Sequence, residues 1–268
     1  MDPVELSVFS SRVAAACDEM GAVLQRAAFS TTIMDRLDFS CAVFGPAGEL
    51  CAQAAHIPVH LGSMAFAMRD LVAGTAWSPG DVLIVNDPFL GGTHLPDITL
   101  VAPVYVADVL AGFVANRAHH ADIGAETPGS MPVSRSLEEE GILIPPTHLL
   151  RAGQPVAGVM HRIVSATASP AQMEGDLAAQ LSANRTGEQR LLELVQAMGQ
   201  HEFRAGLVAV NDYGARLAEQ ALSAIPNGCY HFRDVMDDDG MGQEDIPIAV
   251  TLQVSDAKAV SYTHLRAH

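Results

Sequence analysis

Positive charge is scarce in this chain of 268 residues: 15 Lys and Arg stand against 31 Asp and Glu, for a formal charge of −16. Such a surface repels phosphate backbones and anionic headgroups, which argues against nucleic-acid and membrane-surface binding. Cysteine is scarce too. The four present, Cys17, Cys41, Cys51 and Cys229, are widely spaced and form no CxxC pair. With no basic segment leading into an apolar signal core at the N-terminus, the expected compartment is the reducing cytoplasm. Asp, Arg, Gly or Pro breaks every apolar run before it reaches the roughly 20 residues of a membrane-spanning helix. A GxSxG elbow, a Walker loop and a GxGxxG turn are also missing, which removes the commonest hydrolase, ATPase and dinucleotide readings. If ATP is used, another polypeptide binds it. What the chain does have is 49% apolar residues, enough for a sizeable core in one large domain or two ordinary ones.

Val4, Phe9, Val13, Ala16, Met20, Val23, Leu24 and Ala27 recur at roughly helical spacing behind an Asp or Ser start signal, predicting a long N-terminal helix. From Asp38, DFSCAVFGPAGELCAQ holds two short β-rich runs around a Gly45-Pro46-Ala47-Gly48 turn, a hairpin whose first strand opens at Asp38. Residues 62–73 read as helix, and DVLIVND, Asp81 to Asp87, as an apolar strand running into a glycine-rich loop. ITLVAPVYV and LAGFVANRAHH are two β-rich stretches joined at Ala107-Asp108, and an antiparallel return carries the end of the second back beside Asp97. Residues 128–146 show no period and read as an ordered loop. From Pro170 to Ala224, apolar spacings of three and four predict two or three antiparallel helices, with breaks near Asn184 to Gly187 and near Gly206. At Ile225-Pro226-Asn227-Gly228 the pattern changes to alternating β residues around an acidic turn.

The expected class is therefore α+β, a mixed α/β core with mainly antiparallel strands, a long N-terminal helix and a helical segment near 170–224. One domain is expected over 1–224 and the start of a β-rich second domain over 225–259. Residues 260–268, VSYTHLRAH, fit neither period and read as a non-native tail, so His264 and His268 are left out of the chemistry.

The densest chemistry lies in NDPFLGGTHLPDITL, Asn86 to Leu100, and NRAHHADIG, Asn116 to Gly124, which gather His94, Asp97, His119 and His120. HxxD alone is a weak signal, because a His near an Asp often makes only a structural hydrogen bond. With Asp38 at a strand start, however, the set offers up to two carboxylates and several imidazoles. Such donors suit Mn, Fe or Zn, and suit Ca or Mg poorly. Strand alternation sends His119 and His120 to opposite sides, so one binds the metal and the other is free to act behind it or as a proton carrier. His56 and His60 are four apart, but Pro58 between them argues for an extended loop, with substrate-pocket and structural roles equally open. Ser130, in the PGSMP loop beside the site, joins them as a substrate-binding candidate. Glu138 to Glu140 read as a solvated helix start, from which Glu139 is the candidate general base. Asp237 to Gly240, DDDG, lacks the DxDxDG alternation of a calcium loop and reads as a turn.

DFSCAVF, HIPVHLGSM, PGDVLIVNDPFLGGTHLPDITLVAPV, RAHHADIGAETPGSMP, EEEGILIPP and GDLAAQLSANRTGEQRL follow one another in this order. Over roughly Val4 to Val254 the chain resembles the hydantoinase B/oxoprolinase family, which also contains the caprolactamase subunit and, more distantly, the metal-bearing acetone carboxylase subunit. The resemblance implies a mixed α and β fold working beside a separate hydantoinase A-type ATP-binding subunit. It also implies a metal, manganese by preference with zinc or iron as alternatives, held by Asp38, His94, Asp97 and His119. Members are commonly about twice this length, so the resemblance covers the family's first half.

The function so implied is ATP-dependent cleavage of a cyclic amide such as a hydantoin, 5-oxoproline or a lactam. The partner would phosphorylate the amide oxygen, and the metal would lower the pKa of a bound water towards neutrality for attack. His120 or a nearby carboxylate would relay protons. Two rivals are carboxylation of a ketone through a phosphorylated enolate, in which the same metal would bind the enolate oxygen instead of activating water, and a non-catalytic assembly subunit whose polar cluster only ties loops together.

Overall fold

The computed structural model describes residues 1–265 apart from His56, Pro58, Ser130 and Met131, with the backbone alone for Ala55, Leu61, His264 and Leu265. The chain divides into two compact units, Met1–Val210 and Asn211–His268. No described helix is long and apolar enough to cross a membrane.

In the first unit, helix α1 (Pro3–Ala27) begins at an Asp2 cap. The Asp2 side chain accepts from the Val4 and Glu5 N–H groups while Glu5 accepts from the Asp2 N–H, a reciprocal box that satisfies otherwise orphaned donors. Its buried stripe of Phe9, Val13, Ala16, Cys17, Met20 and Leu24 falls at helical spacing. After the one-turn helix α2 (Thr31–Met34), the hairpin β1 (Phe39–Phe44) and β2 (Leu50–Ala55) leads to α3 (Val59–Gly74) and to β3 (Val82–Val85). The long pair β4 (Asp97–Val106) and β5 (Val109–His119) follows, then α4 (Leu137–Glu140), β6 (Thr147–Arg151), β7 (Gln154–Pro155) and α5 (Val159–Val164). Helices α6 (Pro170–Met198) and α7 (Gln200–Ser223) come next, and the unit boundary falls within α7.

The seven strands form one sheet in the order β2-β1-β5-β4-β3-β6-β7, with every neighbouring pair antiparallel. Alternation divides its side chains between two layers. Cys41, Val43, Ile84, Leu100, Val114 and Ala118 join the core with α1 and α6, whereas Ala42, Phe44, Leu83, Val85, Phe113 and Ala115 pack against Met64, Ala67, Met68 and Leu71 of α3. Covered on both faces, the central strands are largely apolar, with Ser40, Asp97, Thr99, Asn116, Arg117 and His119 as their buried polar exceptions, and β1 is buried along its whole length.

Two expectations for 170–224 need correction. Helix α6 runs unbroken through Asn184 to Gly187, and α7 through Gly206; the break falls at Gly199 instead. Those glycines answer to tertiary contact: a Cβ on Gly187 would overlap Met20 Sδ, and one on Gly206 would sit 2.8 Å from the Phe9 ring. The antiparallel partner of α6 is α1, as Phe29 against Gly175, Met20 against Gly187 and the Glu19–Arg190 ion pair show. Strands β6 and β7 and helix α5 were not anticipated. In the second unit, β8 (Gly228–Asp238), β9 (Glu244–Ser255) and β10 (Lys258–Leu265) form an antiparallel sheet in the order β10-β9-β8. The acidic turn between β8 and β9 is satisfied by Asp239, which accepts from the Met241 and Gln243 N–H groups. Strand β10 takes up residues of the tail that the alternation had left out, through backbone pairing with β9.

Candidate metal centre

The ladder of β1, β5 and β4 builds the site in two rows on the α3 face. Asp97 lies opposite His119, and the His119 N–H donates to the Asp38 carbonyl at 2.9 Å, so Asp38, His119 and Asp97 form one row. Two residues further along, Ser40 lies opposite Arg117 and Arg117 opposite Thr99, which makes the second row on the same face. His94 comes from the glycine-rich loop between β3 and β4, where the Asp97 N–H donates to the His94 carbonyl at 3.0 Å. The fully buried Asn86 holds that loop: its Nδ2 donates to the Leu95 and Ile142 carbonyls at 2.8 and 2.9 Å, and its Oδ1 accepts from the Ile144 N–H at 2.7 Å. Gly92 is obligatory beside it, because a Cβ there would overlap the Asn86 carbonyl oxygen.

Three donor atoms converge. His119 Nδ1 is 3.1 Å and His94 Nε2 3.5 Å from the same Asp97 oxygen, Oδ1, and the two ring nitrogens are 3.1 Å apart. Ligand atoms bound about 2.0–2.2 Å from one first-row ion lie about 3.0–3.5 Å from each other, so the triangle fits a shared ion. Among the described residues, His94, Asp97 and His119 form the group of at least three donors close enough to hold a metal. Asp38 stands at the margin, with Oδ2 3.9 Å from His119 Nδ1. The site opens on the His94 side: that side chain is 37% exposed and Asp97 1%.

Burial works to raise the Asp97 carboxyl, but hydrogen bonds from His119, His60 and Thr93 outweigh it and hold the group well below the usual carboxylate range. Asp97 therefore stays anionic. Burial lowers the His94 imidazole against the opposing pull of Asp97, which favours the neutral form a metal needs.

His60, a substrate candidate from the sequence, stands behind Asp97. It is buried, with Nε2 3.3 Å from Asp97 Oδ2 and Nδ1 3.0 Å from Ser40 Oγ. The hydroxyl of Thr93 donates to the same Asp97 oxygen in a short hydrogen bond. His120, as alternation predicts, faces the other side of the sheet. Its Nε2 meets Gln180 Oε1 at 3.0 Å within a buried network that also holds Asn116 and Asn184, and its Nδ1 is buried without a partner. Since Gln180 Nε2 already donates to Ile98 and Asn116, Gln180 Oε1 is the acceptor and His120 carries its proton on Nε2. Glu139 is exposed on α4, where it accepts from the Arg135 N–H, and among the described residues no hydrogen bond or ion pair joins it to the cluster. His56 and Ser130 lie outside the described residues.

Sequence reasoning missed Thr93, Ser40, Ser63 and Arg117. Arg117 was signalled by its place two residues before His119 on one strand, and Ser63 by its place three residues after His60 on one helix.

The chain is 42% identical over 233 residues to the 5-oxoprolinase of Dictyostelium discoideum, covering 86% of this chain and 18% of that protein. It is 30% identical over 257 residues to the caprolactamase subunit beta of Pseudomonas jessenii, covering 95% of this chain and 44% of that one. The crystal structure of ATP-dependent caprolactamase from Pseudomonas jessenii superposes with a TM-score of 0.91 at 29% identity, over 99% of this chain and 46% of that one. The nucleotide-free structure of acetone carboxylase shares the fold, with a TM-score of 0.83 at 18% identity over 97% and 37% of the two chains. The chain thus spans less than half the length of each. The hydantoinase B/oxoprolinase family description matches residues 2–263, and the chain belongs to that family.

Proposed function

We propose that this chain carries the metal centre of an ATP-dependent cyclic amidase, acting on a hydantoin, 5-oxoproline or lactam activated by an ATP-binding partner of the hydantoinase A type. The observation that supports it most is the convergence of His94 Nε2 and His119 Nδ1 on one Asp97 oxygen, at 3.5 and 3.1 Å. His94, Asp97 and His119 would hold the ion and Asp38 would complete the set. Their oxygen and nitrogen donors suit manganese, with iron or zinc also compatible. Lewis-acid polarisation of a carbonyl or water oxygen is the chemistry such an ion supplies when bound.

The chain's own residues do the rest. Asp97 supplies fixed negative charge, kept in place by His60, Thr93 and His119. Ser40 orients the His60 ring, so the carboxylate is braced from the side away from His94. His94, the most exposed of the three, stands where a ring amide enters. The full chain, combined with its ATP-binding partner, should hydrolyse ATP faster when 5-oxoproline, hydantoin or caprolactam is added. Stimulation by acetone and bicarbonate instead would favour ketone carboxylation, and a metal-free complex with no turnover would favour an assembly role.

A further inference from the structure

Arg117 is a fully buried guanidinium in the middle of a sheet. Among the described residues no carboxylate lies within ion-pair distance of it; its acceptors are neutral and come from three separate elements. Nε donates to Thr99 Oγ1 of β4 at 2.8 Å, Nη1 to Ser63 Oγ of α3 at 2.8 Å, and Nη2 to the Gly91 carbonyl of the glycine-rich loop at 2.6 Å. Burying a cation without a directly paired anion is costly, and an apolar residue of similar size often serves packing equally well or better. Packing therefore does not account for an arginine here, whereas the reach of a planar fork does.

What the fork joins is specific. Gly91 begins the run Gly91-Gly92-Thr93-His94, at φ +120°, and Arg117 holds its carbonyl. The same loop delivers Thr93 to Asp97 and His94 to the donor triangle. On the other side of the fork, Ser63 lies one helical turn after His60, which braces Asp97. Thr99 is the cross-strand neighbour of Arg117 and follows Asp97 by two residues on one face. Each acceptor of Arg117 thus belongs to the segment that carries a donor of the metal triangle or a residue bracing it.

We propose that Arg117 is a positioning residue of the metal centre, fixing the glycine-rich loop to α3 and β4 so that His94 stands at bonding distance from the ion shared with Asp97 and His119. This rests on the metal reading above. It is tested on the full chain by titration with Co(II), following the visible d–d absorption and measuring affinity by competition with a chelator. Arg117→Lys keeps the charge but loses the fork, and Ser63→Ala removes one anchor without touching a ligand. Arg117→Lys should weaken Co(II) binding by about 10- to 100-fold and alter the absorption band, and Ser63→Ala should do so in the same direction by less. Circular dichroism and thermal melts establish that each variant folds, and where Arg117→Lys does not, Ser63→Ala decides. Wild-type binding with unchanged affinity and spectrum in the folded variants overturns the positioning role alone. A wild-type chain that binds no Co(II) overturns the metal reading and this inference with it.

Discussion

Asp97 and His119 face each other across adjacent antiparallel strands, with the carboxylate Oδ1 3.1 Å from the imidazole Nδ1. They are 22 residues apart in sequence and are joined through a hairpin turn whose central residues, Ala107 and Asp108, adopt positive φ. Because both sit in a ladder covered on each face, the backbone sets their separation before any ligand arrives, and ion binding there requires little ordering. The loop residue His94 is the part that has to be held by other means, by Asn86, Gly92 and Arg117.

Replacing Asn86 should be severe. Asn86→Asp turns a donor into a carboxylate that faces the Leu95 and Ile142 carbonyls, and leaves both without their hydrogen bond. A loss of about 3 kcal/mol or more is expected in urea unfolding, the size associated with a broken buried network. A variant as stable as the wild type would show that the loop does not depend on this side chain.

Gly92→Ala and Gly214→Ala should have opposite effects. A Cβ at Gly92 overlaps the Asn86 carbonyl oxygen, for an expected cost of about 1–3 kcal/mol. At Gly214, within α7, a Cβ meets nothing within 4 Å, and alanine should stabilise the helix by about 0.5–1 kcal/mol. Thermal melts of the two variants measured side by side check the signs.

Where the sequence could be read, the reason was period. Alternation in ITLVAPVYV and LAGFVANRAHH foretold both the antiparallel return and the placement of His119 and His120 on opposite faces, and the glycine pair marked the loop that carries His94. Where it could not, the cause was tertiary. Gly187 and Gly206 read locally as helix breaks, but they are small because Met20 and Phe9 lie on them. Pro58 suggested a loop around His60, yet α3 begins at Val59 and turns His60 inward to Asp97. Arg117 carried no local signal of what it would grip, since its acceptors lie 18, 26 and 54 residues away.

The thiols should react in an order set by burial. Burial, reinforced by Asp18, pushes Cys17 up to about 12, and burial pushes Cys41 well above its usual value, while Cys229 is exposed. A thiolate-specific reagent at neutral pH should label Cys229 at once and reach Cys17 and Cys41 only on unfolding. The sign for stability follows from the raised folded values. Their contribution is intact below the unfolded value of about 8.5 and is lost as pH rises from there, because the unfolded thiols ionise while the buried ones do not. Rapid labelling of Cys17 in the native chain would contradict this.

His120→Gln should lower the melting temperature, because it disturbs the network with Gln180, Asn116 and Asn184, while leaving Co(II) affinity essentially unchanged. Loss of the metal in a folded His120→Gln variant would move His120 into the centre.

The most direct test of the account is the divalent metal content of the full chain, measured by elemental analysis after loading with Mn(II), Zn(II) or Fe(II) and removal of free ion. The wild type should retain a stoichiometric ion, and the His94→Ala/Asp97→Ala double variant should lose it while remaining folded. A wild-type chain that retains none, or a double variant that retains it undiminished, would contradict the assignment of His94, Asp97 and His119 as a metal centre.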